Sequence, residues 1–169
     1  VADNYERLRK WSDMTLPLVI GVLKGLGVEV TVAPDELDIF HCADLITASG
    51  VRIAVRVREF KNERYQNTLT IRSTVISGRD TELQKFLIDP PQVYFYGVTD
   101  ATETSFSHWR VCDGAAIAAV LRTGKLEEHF NDDGTGWVDV DLKQKGLVVR
   151  SFDDDDSLRR LMMSRLKTL

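Results

Sequence analysis

ADLITASGVRIAVRVREFKNERYQNTLTIRS, residues 43–73, is the stretch on which the fold of this 169-residue chain turns. Asp44, Leu45 and Ile46 open a short apolar run that stops at Ser49-Gly50. From Val51 to Phe60 the chain then alternates, with Ile53, Val55 and Val57 on one face and Arg52, Ala54, Arg56 and Arg58 on the other. A period of two is that of a half-buried strand. After a polar loop, Leu69 to Ser73 repeats the pattern. Three strands are therefore predicted, with Arg52, Arg56, Arg58 and Arg72 on one side of a sheet as a charged site.

Working outward, residues 51–79 hold seven basic residues against Glu59 and Glu63, a local balance of +5 in a chain whose net charge is −4. A basic island on an acidic body is what a phosphate-binding surface produces, although solvated strand edges also collect Lys and Arg. The length suits one domain spanning residues 1–169, and 43% hydrophobic with 28% charged residues is an ordinary globular composition. Cys42 and Cys112 are too few and too isolated for a disulfide framework, so a reducing, cytoplasmic setting is expected. The N-terminal VADNYERLRKW does not read as a signal peptide. Leu16 to Val30 is apolar but short and is interrupted by Lys24, which predicts a core helix and no membrane partner.

In chain order, Asp3 caps a first predicted helix with Tyr5, Leu8 and Trp11 on one face. Pro17 marks the start of a second, and Gly25 and Gly27 end it. Val28–Val32 is a predicted strand, and the acidic residues 35–38 lead on to the central sheet. Asp80 or Thr81 caps a short helix over Glu82–Leu87, closed by Asp89-Pro90-Pro91. Val93–Val98 is a dense run of β-formers and predicts a central strand, with Ser107–Cys112 as its hairpin partner. A small helix over Ala115–Arg122, a turn at 131–136, strands at Trp137–Val140 and Leu147–Val149, and an amphipathic helix over Asp153–Leu169 complete the order. The expected class is α+β (α/β-like), a mixed central sheet flanked by helices.

That order resembles the PD-(D/E)xK nuclease superfamily, which includes restriction endonucleases and the archaeal Holliday-junction resolvases. The features that carry the likeness are a helix, a strand opening with Asp44, a strand with two same-face polar residues near its end, and a following helix. The resemblance covers about residues 5–112, a restriction-endonuclease-like core, and leaves 113–169 as a C-terminal elaboration. The segments Val55–Arg58, Thr70–Ser73 and Tyr94–Gly97 are also similar to those of uncharacterised phage-type proteins. A nucleic-acid-directed hydrolase is thereby implied, with DNA as partner, Mg or Mn as cofactor if active, and a possible homodimer.

Carried over residue by residue, the resemblance places Asp44 at the family's metal-binding aspartate, Arg56 at its second acid and Arg58 at its lysine. Arginine cannot ligate a hard cation, and it cannot serve as a base. Glu59-Phe60-Lys61 is a literal E-x-K in a second register, but strand parity puts it on the opposite face unless a bulge intervenes. If active, the protein would hold its metal through Asp44 and Glu59, with Glu6 accessory, while Lys61 and Arg58 assist the chemistry. Arg52, Arg56, Arg58, Arg72 and Gln84 would contact nucleic acid. The alternative is an inactive nuclease-fold module that binds nucleic acid or protein. GVLKGLG has the wrong spacing for a phosphate loop, and the three histidines are scattered rather than grouped at zinc-ligand spacing.

Overall fold

The alternating stretch forms a strand near the middle of a six-stranded mixed sheet, in a computed structural model that describes residues 2–74 and 81–151. The helices are α1 (Ala2–Gly25), α2 (Asp35–His41), α3 (Glu82–Ile88) and α4 (Gly114–Arg122). The strands are β1 (Val30–Val32), β2 (Leu45–Thr47), β3 (Arg52–Arg58), β4 (Thr68–Thr74), β5 (Val93–Thr99), β6 (Phe106–Asp113), β7 (Glu128–Phe130), β8 (Gly136–Asp141) and β9 (Val148–Ser151). The large sheet has the order β1-β2-β3-β5-β6-β9, and β4-β8-β7 form a second, smaller sheet. Among the described residues, only the β3–β5 pair of the large sheet is parallel, and its other strand pairs are antiparallel. The class is α+β, as the element order implies.

Each face of the large sheet is covered by a different layer. Ile53, Leu45, Phe95, Phe106 and Trp109 face α1 and pack against its Val19 and Leu23. The Phe95 ring stacks on Trp109 with centroids 6.4 Å apart. On the opposite face, Ala54, Tyr94, Tyr96, Val98 and Cys112 meet α3, α4 and the smaller sheet through Phe86, Ile117, Leu69, Ile71, Val138 and Val140. The parity of β3 thus sends its valines toward α1 and its arginines into the layer between the two sheets.

Three local expectations are corrected. Residues 2–25 form one helix rather than two, with Pro17 inside it. The proline removes one backbone donor, and the helix continues because Val19 and Leu23 beyond it are buried against the sheet. The acidic segment after Pro34 is α2 rather than a connection, and it ends where Cys42 turns left-handed at φ 49°. The strand containing Arg72 pairs with β8 and not with the large sheet. Its buried Leu69 and Ile71 face the common core, and the Arg72 side chain is exposed, whereas those of Arg52, Arg56 and Arg58 are half-buried.

Other boundaries follow from the sequence signals. Helix α1 ends in a Schellman arrangement, with Val28 N donating to Leu23 O and Gly27 N to Lys24 O, where Gly27 has φ 80°. Thr81 caps α3 in a capping box with Gln84. Gly114 begins α4 under Pro91, where a Cβ would lie 1.8 Å from the Pro91 carbonyl oxygen. The expected helix over 153–169, and Asp80 as an alternative cap, lie outside the described residues.

Candidate functional site

Strand β3 carries three of the expected site residues, Arg52, Arg56 and Arg58, and its surroundings explain the placement of Asp44 and Glu59. Strand β2 pairs with β3 only as far as Ile53, so the outer edge of β3 beyond that point needs other partners. Asp44 supplies one, its Oδ2 accepting the Val55 N–H at 2.7 Å. The Trp11 indole of α1 supplies another by donating to the Val57 carbonyl at 3.0 Å. Asp44 therefore extends the ladder with a side chain, in the plane of the sheet.

Glu59 follows the last residue of β3 and precedes a 3-10 turn, Phe60–Tyr65. No bulge turns it toward the arginines. It accepts from Arg7 Nη1 of α1 at 2.9 Å and from Lys61, on the α1 side as strand parity requires. The hydrogen bond from Lys61, aided by Arg7, holds its carboxyl below the usual range. Glu6 is exposed on α1. Asp44, Glu59 and Glu6 thus do not converge, and among the described residues no three His, Cys, Asp or Glu side chains gather as a metal site. The donor set implied by the resemblance does not fit Mg or Mn in this arrangement, since a hard cation needs several oxygens around one point. Gln84 is also engaged locally, its Oε1 accepting from Thr81 N at 2.7 Å.

What the structure does assemble is a layer of guanidinium groups between the sheets. Arg52 forks onto Asp89, with Nη1 and Nη2 each 2.7 Å from one carboxylate oxygen. Asp89 also meets His41 Nδ1 at 2.8 Å, and the bonds from Arg52 first, then His41, lower its carboxyl. Arg56 Nη2 donates to Glu82 Oε2 at 2.7 Å. The other oxygen of Glu82 accepts from the Tyr94 hydroxyl at 2.8 Å, and Oε2 also receives the Arg72 backbone N–H at 3.2 Å. One carboxylate from α3 thereby ties together β3, β4 and β5. Glu82 raises the Arg56 pKa further above its ordinary value, and burial keeps the Tyr94 phenol protonated well beyond its usual range.

Arg58 has a different environment. Its Nη2 donates to the Thr70 hydroxyl at 2.7 Å, and its guanidinium lies 5.4 Å from the Tyr65 ring centroid and 6.0 Å from that of Tyr96. The Tyr96 hydroxyl donates to the Tyr65 carbonyl at 2.7 Å, which pins the 3-10 turn over this end of the sheet. Arg110, directly across β5 from Arg56 through Tyr96, donates from Nη2 to Asn67 Oδ1 at 2.6 Å.

The sequence identifies Arg52, Arg56 and Arg58 and gives their common face. It does not single out Glu82, Tyr94, Tyr65, Asn67, Thr70 or Arg110. A usable signal was present for Arg110: alternation within VYFYG and SHWRVC puts Tyr94, Tyr96 and Arg110 on the side that pairs in register with Arg56. No protein-family model matches the chain, and no curated protein matches it in sequence. Among the described residues no helix is long and apolar enough to cross a membrane.

Proposed function

We propose that this chain is a non-catalytic nucleic-acid-binding module carried on a nuclease-like frame. The observation behind the reading is the fate of the two positions that the resemblance assigns to catalysis. Both hold guanidinium groups, and both are engaged by neighbours: Arg56 by Glu82, and Arg58 by Thr70 and two tyrosine rings. A cation fills the place where metal-dependent hydrolysis needs an anionic ligand, and Asp44 is occupied by a backbone N–H.

The arrangement of helix, antiparallel β1-β2-β3, helix α3 and parallel β5 supports the frame. Lys61, paired with Glu59, and Arg64 are exposed on the turn that follows β3 and are among the cationic side chains open to phosphates. Binding of this kind is electrostatic in origin, and weakens with salt by about one counterion per phosphate contact.

The test pairs two measurements on the same preparation. Fluorescence anisotropy with labelled single- and double-stranded oligonucleotides, over a series of salt concentrations, is expected to show binding that weakens as salt rises. Incubation of the same oligonucleotides with Mg²⁺ or Mn²⁺ is expected to leave them intact. Metal-dependent cleavage that disappears in Asp44→Asn would overturn the non-catalytic reading. A lack of binding at low salt would overturn the nucleic-acid reading.

A further inference from the structure

We propose that a cleft at the β7 edge of the smaller sheet binds a small molecule with an ammonium head and an apolar tail. The proposal is independent of the nucleic-acid reading and concerns a different part of the molecule. The cleft has a volume of about 350 Å³, which is within the range of small-molecule pockets. Leu83 of α3, Leu121 of α4, Leu126 and Val138 of β8 supply its apolar walls. Its polar side comes from Ser73, Thr74 and Glu128.

Two features of the sheet bring those polar groups to one point. In register, Glu128, Val138 and Ile71 form a row across β7, β8 and β4. Partners in such a row share a face, and Val138 and Ile71 are buried in the core, so Glu128 is an acid on the inner face of the sheet. The second feature is a bulge. Arg72 pairs with Trp137 and Thr74 with Gly136, which leaves Ser73 as the extra residue between them. On a regular strand, adjacent side chains point to opposite faces. Here the Ser73 hydroxyl and the Thr74 hydroxyl, the latter at 2.9 Å, both donate to Oε1 of Glu128. Gly136 leaves room for the cluster, since a Cβ there would lie 3.0 Å from both Glu128 Oε1 and Ser73 Oγ.

The hydrogen-bond inventory selects the ligand. Both hydroxyl protons go to the carboxylate, so Ser73 and Thr74 have only lone pairs left to offer. Among the described residues Glu128 has no cationic partner, and its Oε2 accepts no hydrogen bond. The polar side of the cleft therefore presents acceptors alone and carries one negative charge. An ammonium group has three donors and no acceptor, which matches Glu128 Oε2 and the two hydroxyl oxygens. An anion would meet a like charge and no donor from these three side chains. Lys125 and Glu127, on either side of Leu126 in sequence, are exposed, opposite in charge and outside the cleft lining, so the charge of Glu128 sets its sign. The leucine and valine walls then take the apolar tail.

The experiment titrates three probes of similar shape into the intact chain at pH 7 and follows ¹H–¹⁵N spectra. Phenethylammonium carries the proposed head group, 2-phenylethanol is its neutral counterpart, and 3-phenylpropanoate its anionic one. The ammonium is expected to shift the amides of Gly124, Leu126 and Val138 saturably. The alcohol should bind about tenfold more weakly, and the carboxylate should leave those amides unmoved. In Glu128→Gln, which keeps an acceptor for the two hydroxyls and removes the charge, the ammonium should bind no tighter than the alcohol. Equal affinity for the three probes would overturn the charge recognition. No saturable shift with the ammonium, or shifts that avoid the cleft residues, would overturn the site itself. All of these outcomes are read on the parent protein, so the result does not depend on how any variant folds.

Discussion

Replacing Arg56 by alanine removes the cation that Glu82 balances between the sheets, and its consequence can be worked from the contacts. Glu82 would keep its bonds from the Tyr94 hydroxyl and the Arg72 backbone N–H but lose the guanidinium 2.7 Å away. Breaking one half of a fully buried pair costs about 3–5 kcal/mol, much of it for the charge left behind. The Arg56 and Glu82 side chains retain 30% and 20% of their exposure, so water solvates part of the stranded carboxylate. About 3 kcal/mol is the resulting expectation, and for a chain of this length it lowers Tm by about 6–12 °C. Urea unfolding followed by circular dichroism measures it directly. The partner change Glu82→Gln keeps an acceptor for Tyr94 while removing the charge, and combining it with Arg56→Met should restore part of the loss. A positive coupling of about 1–2 kcal/mol in that cycle is expected. If Arg56→Ala leaves Tm unchanged, or the two changes are strictly additive, the pair contributes nothing to the layer and the structural account of Arg56 fails.

Three further outcomes follow from other parts of the molecule. Gly114→Ala should destabilise the protein by about 3 kcal/mol or more, read by urea unfolding, because its Cβ would fall 1.8 Å from a backbone carbonyl that cannot swing aside. Asp89 has a folded pKa below its ordinary 3.8, so the stabilisation from its bonds to Arg52 and His41 is full above that value and is lost as pH falls through the lower one. With Asp89 nearly half exposed, Asp89→Asn should remove about 0.5–1 kcal/mol at pH 6 and less at pH 3, measured as the gap between the two proteins' urea midpoints. Burial pushes the Cys112 thiol up to about 12, so at pH 8 it should resist iodoacetamide in the native protein and react only in denaturant. Peptide mapping by mass spectrometry distinguishes it from the half-buried Cys42.

Half of the large sheet was legible because three of its six strands, β3, β5 and β6, announce themselves over seven or eight residues. The alternation of β3 and the β-former run of β5 give both position and facing, and the hairpin from β5 to β6 keeps partners close in sequence. Local signals failed where length or partner choice decided the result. The seven-residue α2 is too short for its periodicity to outweigh an acidic composition that also suits a loop. Strand β7 has three residues, Glu-His-Phe, whose identity is set by the β8 strand it joins through the 131–135 turn. Strand β4 has a clear pattern, but a pattern of period two says only that one face is buried. Its partner, β8, lies more than sixty residues later, and no local feature of Thr68–Thr74 separates that choice from pairing beside β3.

The same limit explains why the arginine face reads as a solvent-facing site and is in fact covered. Parity places Arg52, Arg56 and Arg58 together correctly, and charge alone suggests water on that side. The small Ala54 between them, buried on the same face, points the other way: a sheet surface with room at its centre admits close approach of a second layer. Leu69, Ile71, Val138 and Val140 provide the apolar side of that layer. Once it closes over the arginines, each guanidinium needs an acceptor from an element distant in sequence, and Asp89, Glu82, Thr70 and Asn67 are those acceptors. None belongs to a motif that includes β3, so none can be recognised from the strand itself. The order of supply is informative in its own right. Carboxylates reach the first two arginines of β3, neutral oxygens reach Arg58 and its neighbour Arg110, and the layer is thus least compensated at the end bounded by the cationic turn 60–65.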